Sequence, residues 1–477
     1  MSQVIETAPV LNLTVAEIET ELLAELTKYH EIYSALFSRR EQREQSEKYM
    51  RGLLSDIENK SAESIILHVE GGDTNAIRAS QQFLSQGAWA DTPLLARHWQ
   101  EVDQDLGDPD GVLIVDGSDF PKQGEASVGV KRQMCGELGK VANCQAGVFL
   151  SYASQQGYTL LDRRLYLPQE WVEADAYAER RSRCGIPDEM RFQTKPELAA
   201  EMIKALHEAA SLRYRWLTCD AAFGRDTTFL DMVSAYVTYF AEVDFDTRVW
   251  LTQPITALPS WSGRGRPPTR PQLAEGEPAA QTVAALAQAL PADAWRRFTI
   301  KEGAKGPLVA DFACRPVVAV RQALPGPTVW LVFRRQATTG EIKYYLSNAP
   351  AATSLHTFAW LSGMRWPTES CFEEGKQELG MGDYQVRSWT GWHHHMTLVI
   401  LAHFFLVRLK RRLRDKAPAL TLPQTVLLLQ AVLPKPALDA QLALDIIRYR
   451  QRRNHDAYLA HCKRRLRLLP PLSEVSL

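Results

Sequence analysis

Apolar and polar positions along the chain fall into three textures. From Thr14 to Lys28, apolar and acidic residues alternate at helical spacing. Arg39 to Ser55 and Ala76 to Gly87 repeat the pattern, and Gly71-Gly72-Asp73 breaks it. These stretches predict a helical module over residues 1–105. At Gly111 the pattern changes. Val112-Leu113-Ile114-Val115 is a short, continuously apolar run, the mark of a strand buried on both faces. Cys144 to Ala153 and Tyr158 to Leu167 are two more, with Gly157 as turn punctuation. Lys195 to Leu212 is an amphipathic helix opened by Pro196. Arg215 to Cys219 is a strand, a helix follows from Asp226, and Tyr236 to Leu251 reads as a fifth strand.

Three strands, helix, strand, helix, strand is the order of a ribonuclease-H-like core, a mixed sheet covered by helices. Residues 252–350 interrupt it. Pro259 to Pro271 is a turn-rich basic loop, and strands are expected at Trp295–Lys301, Val317–Arg321, Thr328–Arg335 and Ile342–Leu346. Helical pattern resumes over Ser354–Gly380, Met396–Leu409 and Leu442–Arg467. The chain is therefore expected to be α/β. A ribonuclease-H-like mixed-sheet core covers 106–251 and 351–410, split by a β-rich insertion over 252–350. A helical DNA-binding or dimerisation module (1–105) precedes the core, and a basic helical region (411–477) follows it.

Composition narrows the class only modestly. With 45% hydrophobic and 23% charged residues, the 477-residue chain is ordinary for a globular protein. Met1 to Val10 lacks a basic, apolar leader pattern, and no run reaches about eighteen apolar residues, so an intracellular, cytoplasmic, nucleoid-associated protein with no membrane partner is expected. Seven widely spaced cysteines without a C-x-x-C pair suggest reduced thiols, not disulfides or zinc. The net charge of -1 hides an asymmetry. Lys and Arg number 9 against 15 Asp and Glu in residues 1–100, and 15 against 5 in residues 401–477. The basic end suits a polyanion, or simply a solvated helix.

Three acidic residues stand out. Asp116 follows the Val112–Val115 run, Asp220 follows the Arg215–Cys219 run, and Glu369 lies on a helical stripe with Arg365, Phe372 and Lys376 at about 100° per residue. Strand-end carboxylates reach a shared crevice. Taken alone, Asp116 and Asp220 each read more readily as a turn or helix cap, and Arg365–Glu369 reads equally well as an ordinary i,i+4 pair. Three acids on three elements of this core suit two divalent ions roughly 3.5–4 Å apart, as phosphodiester chemistry uses them. Hard oxygen donors favour Mg2+ or Mn2+. Asp119 is a second candidate for the first position; Asp116 is preferred because it directly ends the apolar run.

The resemblance is specific. Val115-Asp116-Gly117-Ser118-Asp119-Phe120-Pro121-Lys122, Gly139 to Gln145, Thr218-Cys219-Asp220-Ala221-Ala222-Phe223-Gly224, and Arg365-Trp366 with Glu369 and Lys376 resemble the motifs of DDE transposases from cut-and-paste bacterial insertion sequences. The similarity runs from about Phe37 to Leu409. Gly117 stands where many relatives carry a second acid, and Ser362 stands where they carry a Tyr. The resemblance implies that Asp116, Asp220 and Glu369 bind two Mg2+ ions per site. These would activate water and then a 3′-OH. It further implies that Arg365 and Lys376 hold the DNA backbone, and that a homodimer pairs terminal inverted repeats with target DNA.

Other candidates carry a bland reading beside the functional one. Trp366 suits stacking on an extruded base, or a core position. Lys122, Arg264, Arg266 and Arg270 are DNA contacts or solvated loop charges. His393-His394-His395 point about 100° apart on a helix and cannot jointly hold one ion; His395 is assigned a structural or backbone-contacting role. Pro367 predicts a helix start or kink at Trp366. A nuclease without strand transfer, and a transposase-derived DNA-binding protein that no longer cuts, remain the alternatives.

Overall fold

The computed structural model describes residues 10–468 apart from 261–262, 264–265 and 304–305. It divides into two compact units, one formed by Met1–Asp91 with Gly375–Leu477 and the other by Thr92–Glu374.

The first unit is helical. The three predicted N-terminal helices are present as Val15–Ser34, Arg40–Leu53 and Thr74–Ser85, and a further helix not expected from the pattern, Ala62–Val69, lies between the second and the last. Thr14 opens the first with a capping box to Glu17, and Asp73 caps the fourth after the Gly71-Gly72 break. Val15–Ser34, Arg40–Leu53 and Thr74–Ser85 pack around Trp389–Arg412, while Ala62–Val69 packs on the second and fourth helices. Trp389–Arg412 is longer than the Met396–Leu409 pattern predicted and is buried almost all round from Gly391 to Leu409. A helix apolar on every side belongs at the centre of a bundle. Its histidines face different partners. His394 stacks on Trp89 at 3.5 Å and meets the carbonyls of Leu84 and Trp89, while His395 Nδ1 meets the Tyr49 hydroxyl at 2.9 Å. Lys60 is buried, its ammonium donating to the carbonyls of Leu53, Ser55 and Glu378. It thereby closes the C-terminal end of helix Arg40–Leu53.

The second unit is organised by one mixed sheet. We label its first strands β1 (Val112–Pro121), β2 (Lys131–Cys135), β3 (Lys140–Ser154), β4 (Gly157–Tyr166), β5 (Trp216–Cys219), β6 (Thr238–Val243) and β7 (Arg248–Trp250). The spatial order β4-β3-β1-β5-β6, with β1 antiparallel to β3 and parallel to β5, and β5 parallel to β6, is the ribonuclease-H-like arrangement. The apolar runs explain it, because Val112, Leu113, Ile114 and Val115 are all fully buried in the sheet centre. The predicted strand Tyr236–Leu251 is two strands, β6 and β7, separated by an Asp244–Thr247 turn.

Beyond β6 the sheet continues through strands Ile342–Ser347, Leu324–Gln336 and Gly306–Arg321, with Arg296–Gly303 paired to the last. One apolar cluster runs across this join, containing Ile114, Trp216, Phe240, Phe312, Val332, Tyr345 and Phe358. Phe240 stacks on Tyr345 at 4.4 Å and on Phe358 at 5.8 Å. The predicted helix Ser354–Gly380 is divided into Leu355–Leu361 and Trp366–Glu378, the second starting where Pro367 permits.

Gly224 marks the tightest approach in this core. A Cβ there would lie 1.9 Å from the Glu242 carbonyl oxygen on β6, so the turn after Asp220 can lie against β6 only with glycine. Gly224→Ala is expected to lower unfolding stability by about 1–3 kcal/mol, measured by chemical denaturation, because backbone cannot give way as a side chain does.

Candidate active site

The register of the parallel β1–β5 ladder places the first two carboxylates. Its last pair is Val115 with Cys219, so Asp116 and Asp220 stand side by side immediately beyond it, on strands about 4.8 Å apart. The strand β1 itself does not stop at Asp116, as the apolar run suggested; it continues to Pro121 against β3. What ends at Asp116 is the pairing with β5, and that opens the crevice. Asp220 also caps the short helix Ala221–Gly224, one oxygen accepting from Ala222 and Phe223 N–H at 3.0 and 3.3 Å. Its cap role and its place in the cluster therefore coexist.

Glu369 comes from helix Trp366–Glu378, whose inward side is fixed to β3. The Thr368 hydroxyl meets Ser151 Oγ at 2.7 Å, and Phe372 packs edge-on against Phe149 at 5.3 Å. Cys371 is fully buried. The opposite side carries Glu369, and Arg365 just before the helix joins the pieces. Its guanidinium lies 2.8 Å from Glu369 Oε1 and 3.4 Å from Asp116 Oδ2. The i,i+4 pair expected from the sequence is thus one arm of a three-residue bridge.

Charge in this cluster is poorly screened. Burial, then the Asp220 charge, push the Asp116 carboxyl up to about 7; Arg365 and the Gly117 N–H oppose the rise, and Glu369 adds to it. Burial disfavours the Arg365 cation, yet Glu369, Asp116, Glu242 and Asp220 together hold it above its ordinary value.

A cleft of about 300 Å³ adjoins Arg365 and Glu369. Thr218, Glu242, Lys301, Arg334, Lys343 and Trp366 are among the residues lining it. Trp366 is 56% exposed, and the Lys301 ammonium lies 4.4 Å from its ring centroid. Lys343 pairs with Glu242 at 2.9 Å, and Arg334 donates to the Ser362 carbonyl. Sequence reasoning missed Lys301, Arg334 and Lys343. As single cations on alternating strands they look like solvated sheet charges, and only the folding of their strands beside β6 brings them here.

The other sequence candidates fall elsewhere. Asp119 accepts from Gly136 N–H at 2.6 Å, and three positions along an extended strand place it on the face opposite Asp116. Lys122 is half-buried beyond the end of β1, its N–H bonded to Asn143. Arg266 is exposed, with no ion pair to the carboxylates among the described residues; Arg264 lies outside them. Lys376 is carried on the same helix as Glu369, two turns further on. The Ser362 hydroxyl bonds to the Ala359 carbonyl.

Among the described residues, no three His, Cys, Asp or Glu side chains form a ready coordination shell for a metal ion. Arg365 occupies the position between Asp116 and Glu369. The donor set nevertheless fits a hard divalent ion: all oxygen, partly buried, with one acid held near 7 by burial and a second carboxylate, the condition such a cation reverses.

A raised acid binds its proton more tightly folded than unfolded. In chelator, stability is therefore expected to fall as pH rises from about 4 to about 7, by at most about 1.4 kcal/mol per pH unit from this group. Asp116→Asn is expected to remove that slope, which denaturation curves across the range measure.

No helix among the described residues is long and apolar enough to cross a membrane. No curated protein matches the sequence. A family model described as DDE superfamily endonuclease matches residues 33–307, more than half the chain, and includes Asp116 and Asp220. With its ribonuclease-H-like sheet and acidic crevice, this chain belongs to the DDE superfamily endonuclease family.

Proposed function

We propose that this endonuclease is a DNA transposase of the insertion-sequence type. It would cut at the ends of its element and join the freed 3′-OH to target DNA, working as a homodimer on terminal inverted repeats. The observation that carries this reading is the convergence of Asp116 and Asp220, just past one parallel ladder, with Glu369 tethered to Asp116 through Arg365.

Asp116, Asp220 and Glu369 would hold divalent cations, Mg2+ or Mn2+. When bound, these supply Lewis-acid activation of the attacking oxygen and stabilise the leaving one. Asp220 is suited to this because its other oxygen is already oriented by two backbone N–H groups. Arg365 neutralises the carboxylates before DNA arrives. Released from them, its planar guanidinium is placed to grip a phosphate oxygen in two-point fashion. Lys301, Arg334 and Lys343 give the adjoining cleft the charge to draw in the DNA backbone, and the exposed face of Trp366 offers an apolar platform for a base. Lys376, Lys122 and Arg266 are proposed as further backbone contacts.

The test is a plasmid bearing the element's ends, incubated with Mg2+ and a target plasmid. Joined products are expected, whereas nicks alone would make the protein a nuclease without strand transfer. Asp116→Ala, Asp220→Ala and Glu369→Ala are each expected to reduce cleavage by about 10³-fold or more while DNA binding persists. Cleavage surviving all three would refute the site. Arg365→Lys keeps charge but loses the planar fork, and a fall of about 10-fold or more in cleavage is expected.

A further inference from the structure

The helix Ala440–Leu468 is 29 residues long, and its two halves have different surroundings. The first half packs within its own unit: Tyr449 is buried, Leu442 lies against Gly71, and Arg453 pairs with Glu63. From Arg450 to Leu466 every residue except Cys462 is exposed. Helices in proteins draw most of their stability from tertiary packing. Among the described residues the Arg453–Glu63 pair is the contact that reaches this half, and no residue from Arg450 to Leu466 is buried.

Its charge points to one kind of partner. The helix carries eight Lys and Arg against two acids, Asp445 and Asp456. Arg448 pairs with Asp445 and Arg453 with Glu63. Arg450, Arg452, Lys463, Arg464 and Arg465 have no carboxylate partner among the described residues.

The placement of these cations is specific. At about 100° per residue, Arg450 and Arg464 share one flank of the helix and Arg452 and Lys463 share another, roughly 130° away. Each pair spans about 16–21 Å along the axis. The narrower arc between the flanks holds Tyr449, which faces the protein, with Asp456 and Ala460. The wider, outward arc carries Gln451, Asn454, Tyr458 and Arg465 at its middle, and His455, Leu459, Cys462 and Leu466 nearer the Arg452–Lys463 flank. A helix with cations on both flanks and hydrogen-bonding groups between them matches a DNA major groove about 12 Å wide, walled by phosphates of both strands. A second copy of the chain fits less well. One seam at coiled-coil spacing reads Ile447, Gln451, Asn454, Tyr458, His461 and Arg465 and is too polar; the neighbouring one reads Arg448, Arg452, His455, Leu459, Cys462 and Leu466 and is apolar only over its last three positions, short of the several heptads a stable coiled coil needs.

Building on the DNA-cutting function above, we propose that residues 450–466 form a DNA-reading helix. Arg450 with Arg464, and Arg452 with Lys463, contact the phosphates of the two strands, and Gln451, Asn454 and Arg465 face base edges.

The test uses the full chain in chelator, so that binding is read without cleavage, and a labelled random duplex of about 30 base pairs over a salt series. Replacing Arg450, Arg452, Lys463 and Arg464 together with Gln is expected to make the log affinity against log salt slope shallower by about 3. Affinity near 0.1 M salt should fall by about 100-fold or more. The Arg450→Lys, Arg452→Lys, Arg464→Lys protein should keep the slope, and unchanged melting of the Gln protein would show that the fold is intact. A Gln protein with the wild-type slope overturns the proposal. So does one that turns from dimer to monomer in sedimentation with its DNA slope unchanged, and so does a wild-type chain that binds no duplex. Asp220→Asn separates the two readings: it should bind with the wild-type slope yet not cut, and if it cuts, the active-site assignment fails while the helix result stands.

Discussion

Repulsion among carboxylates is the constraint around which the second unit is arranged. Asp116 and Asp220 are set next to each other by the register of a parallel ladder, with Asp116 held largely away from water. Such an arrangement persists only if the surrounding fold dictates it. Here the ladder is locked by fully buried Val112–Val115 and Trp216–Cys219, and the turn after Asp220 is pressed on β6 through Gly224. Arg365 supplies a compensating charge, its guanidinium reaching both Asp116 and Glu369. The unit thus holds its acids in an electrostatically unfavourable arrangement that the surrounding packing enforces.

The strands from 296 to 347 acquire a second meaning in this light. They extend the sheet past β6 and share its apolar cluster, through the stacking of Phe240 on Tyr345 and Phe358. That shared core fixes where their polar faces lie. Lys301, Arg334 and Lys343 then line the cleft beside Glu369 as a consequence of packing on the other side of the sheet. An apolar contact and a cationic surface are two faces of the same strands.

The helical unit handles its buried polar groups differently. Lys60 meets carbonyl oxygens, His394 meets two carbonyls through both ring nitrogens, and His395 Nδ1 meets the Tyr49 hydroxyl, all within the bundle. The three consecutive histidines are dispersed to separate partners by helical geometry. In contrast, the outer half of helix Ala440–Leu468 leaves Arg450, Arg452, Lys463, Arg464 and Arg465 without carboxylate partners among the described residues, Arg453 alone being paired, with Glu63.

Local sequence determined the elements whose apolar pattern is continuous or strictly periodic. Val112–Val115, Trp216–Cys219, the N-terminal helices and the start of a helix at Pro367 were legible because burial on both faces, capping residues and proline act over a few positions. Asp116, Asp220 and Glu369 stood out as candidates for a related reason, since the two aspartates follow such runs and Glu369 sits in a spaced motif with Arg365. Register and long-range pairing were not. Nothing local shows that β1 outruns β5 at Asp116, that Asp119 turns to Gly136 on the opposite face, or that Tyr236–Leu251 is divided between two strands. Nor does the sequence place Lys301, Arg334 and Lys343 beside Glu369, because sheet partners far apart in the chain are chosen by the shared core that they bury. Sequence supplied the chemical groups, and tertiary packing set the distances between them, on which their charge interactions depend.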